Sequence, residues 1–348
     1  MSSTISIFAG VALFYLIAYG LYIGKDLLIP FVISVAIWYL LITLSALFQK
    51  PTFGKKRLPY PAALLLSLGF IFIVSLFIYE LVSSNVSDVG RELPRYQEKL
   101  GRLFNNLLDI LPFDISSFKK DFLSRFSLIS IAASVAQSVT FLISYLGIIF
   151  LYVLFLMLEW RSFDQKLEAL FPDVKQLAKA KKIIRTISRD IQSYLILKTV
   201  LSLAVALIAY ILFSAIGLHF PAFWALVLFL LNYIPTIGAI FATLLPCFLT
   251  LIQFDTWMPF IFISTSLIAI QFIEGNIIEP KLIGRSVNLS PVVILLSLAV
   301  WGYLWGIVGL FLGIPIMVIV NIILSHFEKT RPIAILLSEN GEIHPDSD

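Results

Sequence analysis

The stretch that decides the fold is Asn276-Ile-Ile-Glu-Pro-Lys-Leu-Ile-Gly284, a charged run broken by proline and glycine between two strongly apolar segments. Charged side chains cost several kcal/mol each inside a bilayer, and irregular backbone survives there only where it is buried in protein or lines water. A chain that keeps charges at this position is expected to use them. The residues concerned are Glu274, Glu279, Lys281 and Arg285. They indicate a permeation pathway rather than a membrane anchor.

The composition is that of a membrane protein. Of 348 residues, 59% are hydrophobic and 13% are charged, and the mean hydropathy is +0.97. Soluble domains have about 45–50% apolar and about 25% charged residues. Cys247 is the single cysteine, which excludes an intramolecular disulfide. A net charge of +4 over this length is too small to indicate a nucleic-acid partner.

Apolar runs predict an all-α protein with six to eight spanning helices and a helical extramembrane insertion. Six runs have the length of simple spans: residues 5–23, 27–48, 60–82, 135–158, 194–216 and 258–278. Two others, 220–252 and 289–324, are too long for one untilted span. The first is interrupted by Asn232-Tyr-Ile-Pro-Thr-Ile-Gly238, and the second by Gly302, Gly306, Gly309 and Gly313.

Lysine and arginine in short loops predict the orientation, since cytoplasmic loops carry an excess of both. The loop at residues 49–59 and the segment at 159–193 are basic, so both should be cytoplasmic, as should the N- and C-termini. The loop at 253–257 has no lysine or arginine and should lie outside, whereas 279–290 should lie inside. The two long runs would then be re-entrant hairpins of opposite orientation. The alternative is two long kinked spans, eight in total.

These predictions divide the chain into six parts. They are the first three spans (1–82), an extracytoplasmic helical insertion (83–134), the fourth span (135–158), a cytoplasmic amphipathic basic helix (159–193), a C-terminal transport core (194–325) and a polar cytoplasmic tail (326–348).

The two interrupted runs resemble each other at an offset of 70 residues. The matching pairs are Pro221 with Pro291, Tyr233 with Tyr303, Ile237 with Ile307, and Phe241 with Phe311. Paired segments broken by glycine or proline are the best sequence pointer to the binding site of a transporter.

Both extramembrane segments are amphipathic. An apolar seam on the insertion consists of Val86, Val89, Leu93, Tyr96, Leu100, Leu103 and Leu107. It has to pack on its own chain, the membrane or a neighbouring subunit, and the last possibility predicts a homo-oligomer. The second segment, 173–191, has a basic stripe suited to anionic membrane lipid, although a solvated linker would look the same.

Polar residues inside the apolar core cluster where the backbone breaks. The candidates for a substrate or ion pathway are Asn232, Tyr233, Pro235, Thr236, Gly238, Gln271, Glu274, Asn276, Glu279 and Lys281. Asn232 could instead make a helix–helix hydrogen bond, and Glu279 and Lys281 could form an ion pair that fixes the loop. Lys198 is expected to extend to the cytoplasmic surface without a role. Candidate hinge or packing residues are Pro280, Gly284, Pro291, Gly302, Gly306, Gly309, Gly313 and Pro315.

Enzyme signatures are absent from the sequence. The three histidines, His219, His326 and His344, have no metalloprotease spacing, and no phosphate-binding loop is present. We therefore expect neither an enzyme nor a cofactor or metal site, and no ATP-driven transport.

Four motifs in order resemble the autoinducer-2 exporter-like family of bacterial permeases. They are Asn232-Tyr-Ile-Pro-Thr-Ile-Gly238 with Pro246, Asn276-x-x-Glu-Pro-Lys-x-x-Gly284, Leu289-x-Pro291, and Gly306-x-x-Gly309 leading to Pro315. The resemblance implies a multi-span inner-membrane protein that moves a small solute and contacts membrane lipid. Ser290 is a departure, because many relatives carry histidine there; a proton-linked step would then need Glu274 or Glu279.

The favoured hypothesis is a secondary transporter or facilitator that exports a small polar metabolite, such as a hydroxylated signalling furanone. A monovalent cation/proton antiporter that uses Glu274 or Glu279 is the first alternative. A non-transporting oligomeric scaffold, assembled through the apolar seam, is the second.

Overall fold

A computed structural model describes residues 3–49, 58–110, 140, 144–234, 237–283, 289–325 and 327–341. These residues are almost entirely helical and contain no β-strand, which confirms the predicted all-α class. The helices are α1 (Ser3–Ile23), α2 (Lys25–Phe48), α3 (Tyr60–Ile110), α4 (Leu146–Leu170), α5 (Val174–Ala215), α6 (Pro221–Leu231), α7 (Ile237–Gln253), α8 (Met258–Ile273), a π-helix (Glu274–Ile278), α9 (Glu279–Ile283), α10 (Pro291–Ser325) and α11 (Arg331–Leu337).

Several helical stretches are long and apolar enough to cross a membrane. Within the described residues there are five, or six if a bent pair is counted as one span. The five are Lys25–Phe48, Tyr60–Asn85, Val174–Ala215, Met258–Leu282 and Val308–Ser325, and the bent pair is Leu146–Trp160 with Ser162–Leu170. Shorter apolar helices are Phe8–Ile23, Pro221–Leu231, Gly238–Gln253 and Pro291–Gly306.

Two long helices each join parts that the sequence placed in separate regions. Helix α3 continues the third span into the predicted insertion, and α5 continues the basic segment into the fifth span. Asp173 caps α5, because its Oδ1 accepts hydrogen bonds from the backbone N–H groups of Lys175 (2.7 Å) and Gln176 (3.0 Å). The apolar seam thus lies on a helix, but its side chains fall outside the described ones. Residues 135–139 and 141–143 of the predicted fourth span also lie outside the described residues.

The chain forms two compact units. The first consists of Met1–Gly69, Ser144–Ile196 and Arg285–Asp348, and the second of Phe70–Ile143 and Leu197–Gly284. The predicted core at residues 194–325 is therefore divided between them. In the first unit α2 packs on α4, and in the second α7 packs on α8.

The run at 220–252, in the second unit, folds back on itself. At 1.5 Å per residue, α6 and α7 are about 16 and 25 Å long, and neither alone crosses a core of about 30 Å. Gln253 Nε2 donates a hydrogen bond to the carbonyl of Gly217 (2.7 Å), and the His219 N–H donates to Gln253 Oε1 (2.7 Å). These bonds place the end of α7 beside the beginning of α6. Residues 217–234 and 237–253 form a helical hairpin, the first hairpin, whose tip includes Asn232 and Tyr233.

Helix α10, in the first unit, also folds back on itself. Ser297 Oγ donates to the carbonyl of Gly313 at 3.1 Å, although a straight helix would separate these residues by about 24 Å. The reversal occurs at Gly306, whose φ of 64° and ψ of −143° suit glycine and strain other residues. We call residues 291–325 the second hairpin.

Glycines let the two halves of the second hairpin approach closely. A Cβ atom on Gly309 would lie 1.8 Å from the carbonyl oxygen of Trp301. One on Gly302 would lie 2.7 Å from the side chain of Leu310, and one on Gly313 would lie 3.1 Å from that of Trp301. The fold-back thus depends on small residues, as in other tight helix pairs. The sides of the membrane on which the hairpins open remain a prediction.

Candidate functional site

A buried lysine between two carboxylates lies in the second unit. Lys198 Nζ is 2.8 Å from Glu279 Oε1 and 3.6 Å from Glu274 Oε1. Lys198 is 1% exposed and Glu274 is 4% exposed, whereas the side chain of Glu279 keeps 26% exposure. The expectation that Lys198 extends to the membrane surface is wrong, because two acidic groups hold its ammonium inside the protein. We call Lys198, Glu274 and Glu279 the charge cluster.

The tip of the first hairpin is bound to this cluster by side chains. Asn232 Nδ2 donates to Glu274 Oε1 and to Ser202 Oγ, both at 3.3 Å. One residue further, the hydroxyl oxygens of Tyr233 and Thr199 are 2.7 Å apart. Asn232 and Ser202 are buried. The amide therefore connects the hairpin tip both to the charge cluster and to α5.

Helix α5 supplies three of these groups through its periodicity. Lys198 and Ser202 are four residues apart and share one face, and Thr199 lies beside them. Helix α5 thus directs the ammonium of Lys198 toward the two glutamates that follow α8, and the hydroxyls of Ser202 and Thr199 toward the tip of the first hairpin.

The two carboxylates flank a π-helix. Glu274 begins the π segment Glu274–Ile278, and the N–H of Glu279 donates to the carbonyl of Glu274. Pro280 explains the wider turn, since it has no N–H for the carbonyl of Asn276 and its ring would clash with that carbonyl in an α-helix. Single π turns inside α-helices are frequent at functional sites.

Two predicted pathway residues lie on the exposed surface of this segment. Asn276 is exposed, and its Nδ2 donates to the carbonyl of Phe272 at 3.1 Å. This bond satisfies a carbonyl next to the π turn. Lys281 is exposed as well. The predicted ion pair between Glu279 and Lys281 is corrected, because the cation beside Glu279 is Lys198.

Gln271 precedes Glu274 by one turn and is not bound to it. Both amide atoms of Gln271 are buried and have no hydrogen-bond partner among the described residues. Gly238, another candidate, packs against the hairpin turn, where a Cβ would lie 1.8 Å from the carbonyl oxygen of Leu231. Pro235, Thr236 and Gly284 lie outside the described residues.

The remaining hinge candidates belong to the second hairpin and its beginning. Pro291 is the first residue of α10 and Pro315 lies within it. Ser290 caps this helix, since its Oγ accepts from the Val293 N–H at 3.3 Å and its own N–H donates to the carbonyl of Leu337 at 2.9 Å. Ser290 thus has a structural role at the beginning of the helix.

Sequence reasoning missed Lys198, Thr199 and Ser202. Lys198 could have been found from the sequence. A lysine inside an apolar span is costly unless an acidic residue neutralises it, so an acidic partner should have been expected. For the two hydroxyls no such signal existed, because serine and threonine are common in transmembrane helices and bond their own backbone.

Together the spans, the hairpins and the charge cluster define a multi-pass helical membrane protein with a buried polar site. Residues 11–329 match the family described as AI-2E family transporter. The chain belongs to the AI-2E transporter family, which confirms the resemblance inferred from the motifs.

Curated relatives span nearly the same length. The AI-2 transport protein TqsA of Escherichia coli K12 is 26% identical over 325 residues, 92% of each chain. A Haemophilus influenzae protein is 27% identical over 338 residues, 95% of each chain, and a Borreliella burgdorferi protein is 31% identical over 258 residues, 73% of this chain and 70% of that one. The last two are provisionally named transport proteins.

Proposed function

We propose that this protein is a secondary transporter or facilitator that exports a small polar metabolite, similar to autoinducer-2, across the bacterial inner membrane. The observation that carries the proposal is the buried charge cluster bound to the tip of the first hairpin. Such groups are expensive inside a membrane protein, and they mark substrate or ion pathways. The metabolite class follows the name of the relative TqsA, an AI-2 transport protein, and the amide and hydroxyl groups around the hairpin tip.

The charge balance of the cluster provides a switch. With all three groups ionised, one ammonium and two carboxylates carry a net charge of −1. An uncompensated charge in the protein interior costs several kcal/mol, so a proton or a cation stabilises the cluster. Glu274 accepts from Asn232 through the same oxygen that faces Lys198. Its protonation state therefore sets how firmly the hairpin tip is bound.

A protonated Glu274 holds the tip more weakly. Hydrogen bonds to a carboxylate are roughly twice as strong as bonds between neutral groups. When Glu274 gains a proton, Lys198 keeps its shorter contact with Glu279, and Asn232 loses a charged acceptor. The tip of the first hairpin is then free to move and to open or close a passage beside α5.

A monovalent cation/proton antiporter is the second candidate, and the net charge of −1 favours it. In that case the cation replaces the proton at the carboxylates, and no organic solute crosses. The proposal also places the protein in the inner membrane with both termini in the cytoplasm, because the basic loops predict this orientation. It includes a homo-oligomeric state, because the apolar seam of α3 needs a surface to pack against.

The test is flux in proteoliposomes. Labelled autoinducer-2, sodium and protons are followed separately for the wild type, Glu274→Gln and the matched control Glu80→Gln, whose carboxylate is exposed outside the cluster. We expect metabolite flux that depends on pH in the wild type and in Glu80→Gln, and flux without pH dependence in Glu274→Gln. Folding is checked by the elution profile of each variant.

Three results would contradict parts of this proposal. Intact pH-dependent flux in Glu274→Gln would reject the switch and leave a passive facilitator. Sodium and proton flux without metabolite flux would establish the antiporter. No flux of any kind in well-folded protein would favour the scaffold.

A further inference from the structure

A polar stripe runs along the buried face of α8 toward the charge cluster. Ser264 and Gln271 are seven residues apart, two helical turns, so their side chains project in nearly the same direction. Glu274 follows one turn after Gln271. At 1.5 Å per residue the stripe is about 15 Å long. It begins in the first half of α8, which starts at Met258 after the loop at 254–257.

Gln271 is the informative member of the stripe. Its amide oxygen and nitrogen are both buried and lack a partner among the described residues. A dry, unpaired polar group destabilises the folded protein, and buried polar groups without protein partners are usually bonded to water. Nothing in an apolar helix requires a glutamine at this position, since leucine would pack there without the penalty.

The other polar groups nearby extend this pattern. The hydroxyl oxygen of Ser264 is buried, with the weakly polar thiol of Cys247 as its neighbour. On the first hairpin, the indole N–H of Trp224 is also buried without a partner in the described part of the chain. The second unit thus contains donors and acceptors that helices and side chains leave unsatisfied.

The neighbouring face of α8 is apolar and exposed. Ile268 is 59% exposed and Phe272 is 61% exposed, whereas Leu267, next to the stripe, is fully buried. This face has the composition of a lipid-facing surface. Helix α8 therefore has one face suited to lipid and one buried face with unpaired polar groups.

We infer that Ser264 and Gln271 line a water-filled passage that leads from the loop at 254–257 to the charge cluster. The amide of Gln271 offers a donor and an acceptor together, which suits water and a small solute with hydroxyl groups. The inference deepens the proposed function, because it assigns a route to the site at Glu274. Water access is nevertheless measurable without any transport.

Cysteine modification tests the passage. Ser264→Cys and Gln271→Cys are made in a Cys247→Ser background, with Leu267→Cys, Ile268→Cys and Phe272→Cys as matched controls on the same helix. Each protein is reconstituted in vesicles and treated with a charged, membrane-impermeant methanethiosulfonate, and unmodified thiols are then counted by a mass tag under denaturing conditions. Reagent on each side of the membrane is tested separately.

We expect modification at 264 and 271 to be at least ~10 times faster than at the three controls, because thiolates form and react only where water reaches them. The reagent should act from the side of the loop at 254–257. Rates at 264 and 271 as slow as those at 268 and 272 would overturn the inference, and so would equal rates at all five positions. Water access with no metabolite flux would keep the passage and reject the proposed export, so the two failures are distinguishable.

Discussion

The two hairpins reverse the chain in similar ways and are held by different chemistry. In the first hairpin, side chains at the tip bind neighbouring helices: Asn232 bonds Glu274 and Ser202, and Tyr233 bonds Thr199. In the second, the backbone of Gly306 makes the turn, and glycines allow close packing. The tip of the first hairpin is held by charged and hydrogen-bonded side chains, whereas the second hairpin can close because glycine has no side chain.

The offset of 70 residues predicted shared geometry but not shared roles. Pro221 and Pro291 both begin a helix, as the alignment implies. Tyr233, however, is half-buried and hydrogen-bonded, whereas its counterpart Tyr303 is 84% exposed. A weak internal repeat can thus mark corresponding turns while only one of them acquires a polar site. The polar site therefore depends on the side chains at the tip and not on the reversal of the chain.

The largest expected effect is the loss of the lysine beside the first hairpin. Lys198→Met leaves two carboxylates without their cation, and breaking a buried ion pair in this way costs about 3–5 kcal/mol. We expect low yield and a clearly lower thermal midpoint in detergent. Lys281→Met, at an exposed lysine nearby, should behave as the wild type.

A compensating variant separates charge from packing. Lys198→Met combined with Glu274→Gln and Glu279→Gln removes the whole cluster, and most of the stability should return because no unpaired charge is left. If the single variant is as stable as the wild type, the tip of the first hairpin does not depend on the cluster.

The second hairpin should respond to an added methyl group. Gly309→Ala places a Cβ against the carbonyl of Trp301, and overpacking of this kind costs about 1–3 kcal/mol. Thermal stability of the purified protein measures the effect. The control is Gly69→Ala in α3, where a Cβ meets nothing within 4 Å. Equal stability of the two variants would contradict close packing at the reversal.

The smallest expected change in thermal midpoint comes from replacing the two corresponding tyrosines, one at the first tip and one in the second hairpin. Tyr233→Phe removes the contact between two hydroxyls at the first tip, which is worth about 1 kcal/mol. Tyr303→Phe, at the corresponding position of the second hairpin, removes an exposed hydroxyl and should leave the thermal midpoint unchanged. Similar midpoints for both variants would show that the two tips are held alike.

The sequence predicted the membrane class and the positions of both reversals because these depend on composition and on local breaks. A run of 30 or more apolar residues interrupted at Asn232 or at Gly306 is too long for one untilted span, which left a hairpin and a long kinked span as the two possibilities. The division of the core at residues 194–325 between two units was not predictable in this way, since it depends on which helices pack together.

The candidate site was predicted in part. Glu274, Glu279 and Asn232 stood out as polar residues in apolar surroundings, and the structure brings them together. The sequence offered Lys281, two residues along the chain, as an ion-pair partner for Glu279, whereas the cation beside Glu279 and Glu274 is Lys198 on another helix. Lys281 is close to Glu279 along the chain, but residues two apart on a helix point to different sides and do not pair well. The actual partner comes from another helix, which only the tertiary fold determines.

The π turn at Glu274–Ile278 fixes the rotational register of the two carboxylates. In a regular α-helix, residues five apart differ by about 140° around the axis, so Glu274 and Glu279 would point in widely different directions. The hydrogen bond from the Glu279 N–H to the Glu274 carbonyl instead makes these five residues one wide turn, so Glu279 lies above Glu274 on the same side of the helix. The π turn is equivalent to one residue inserted into an α-helix. Winding this segment as a regular α-helix with all its residues would turn one carboxylate away from Lys198. Deleting one residue between them would instead leave the carboxylates four apart, about 40° from each other, so both would stay on one side of the helix.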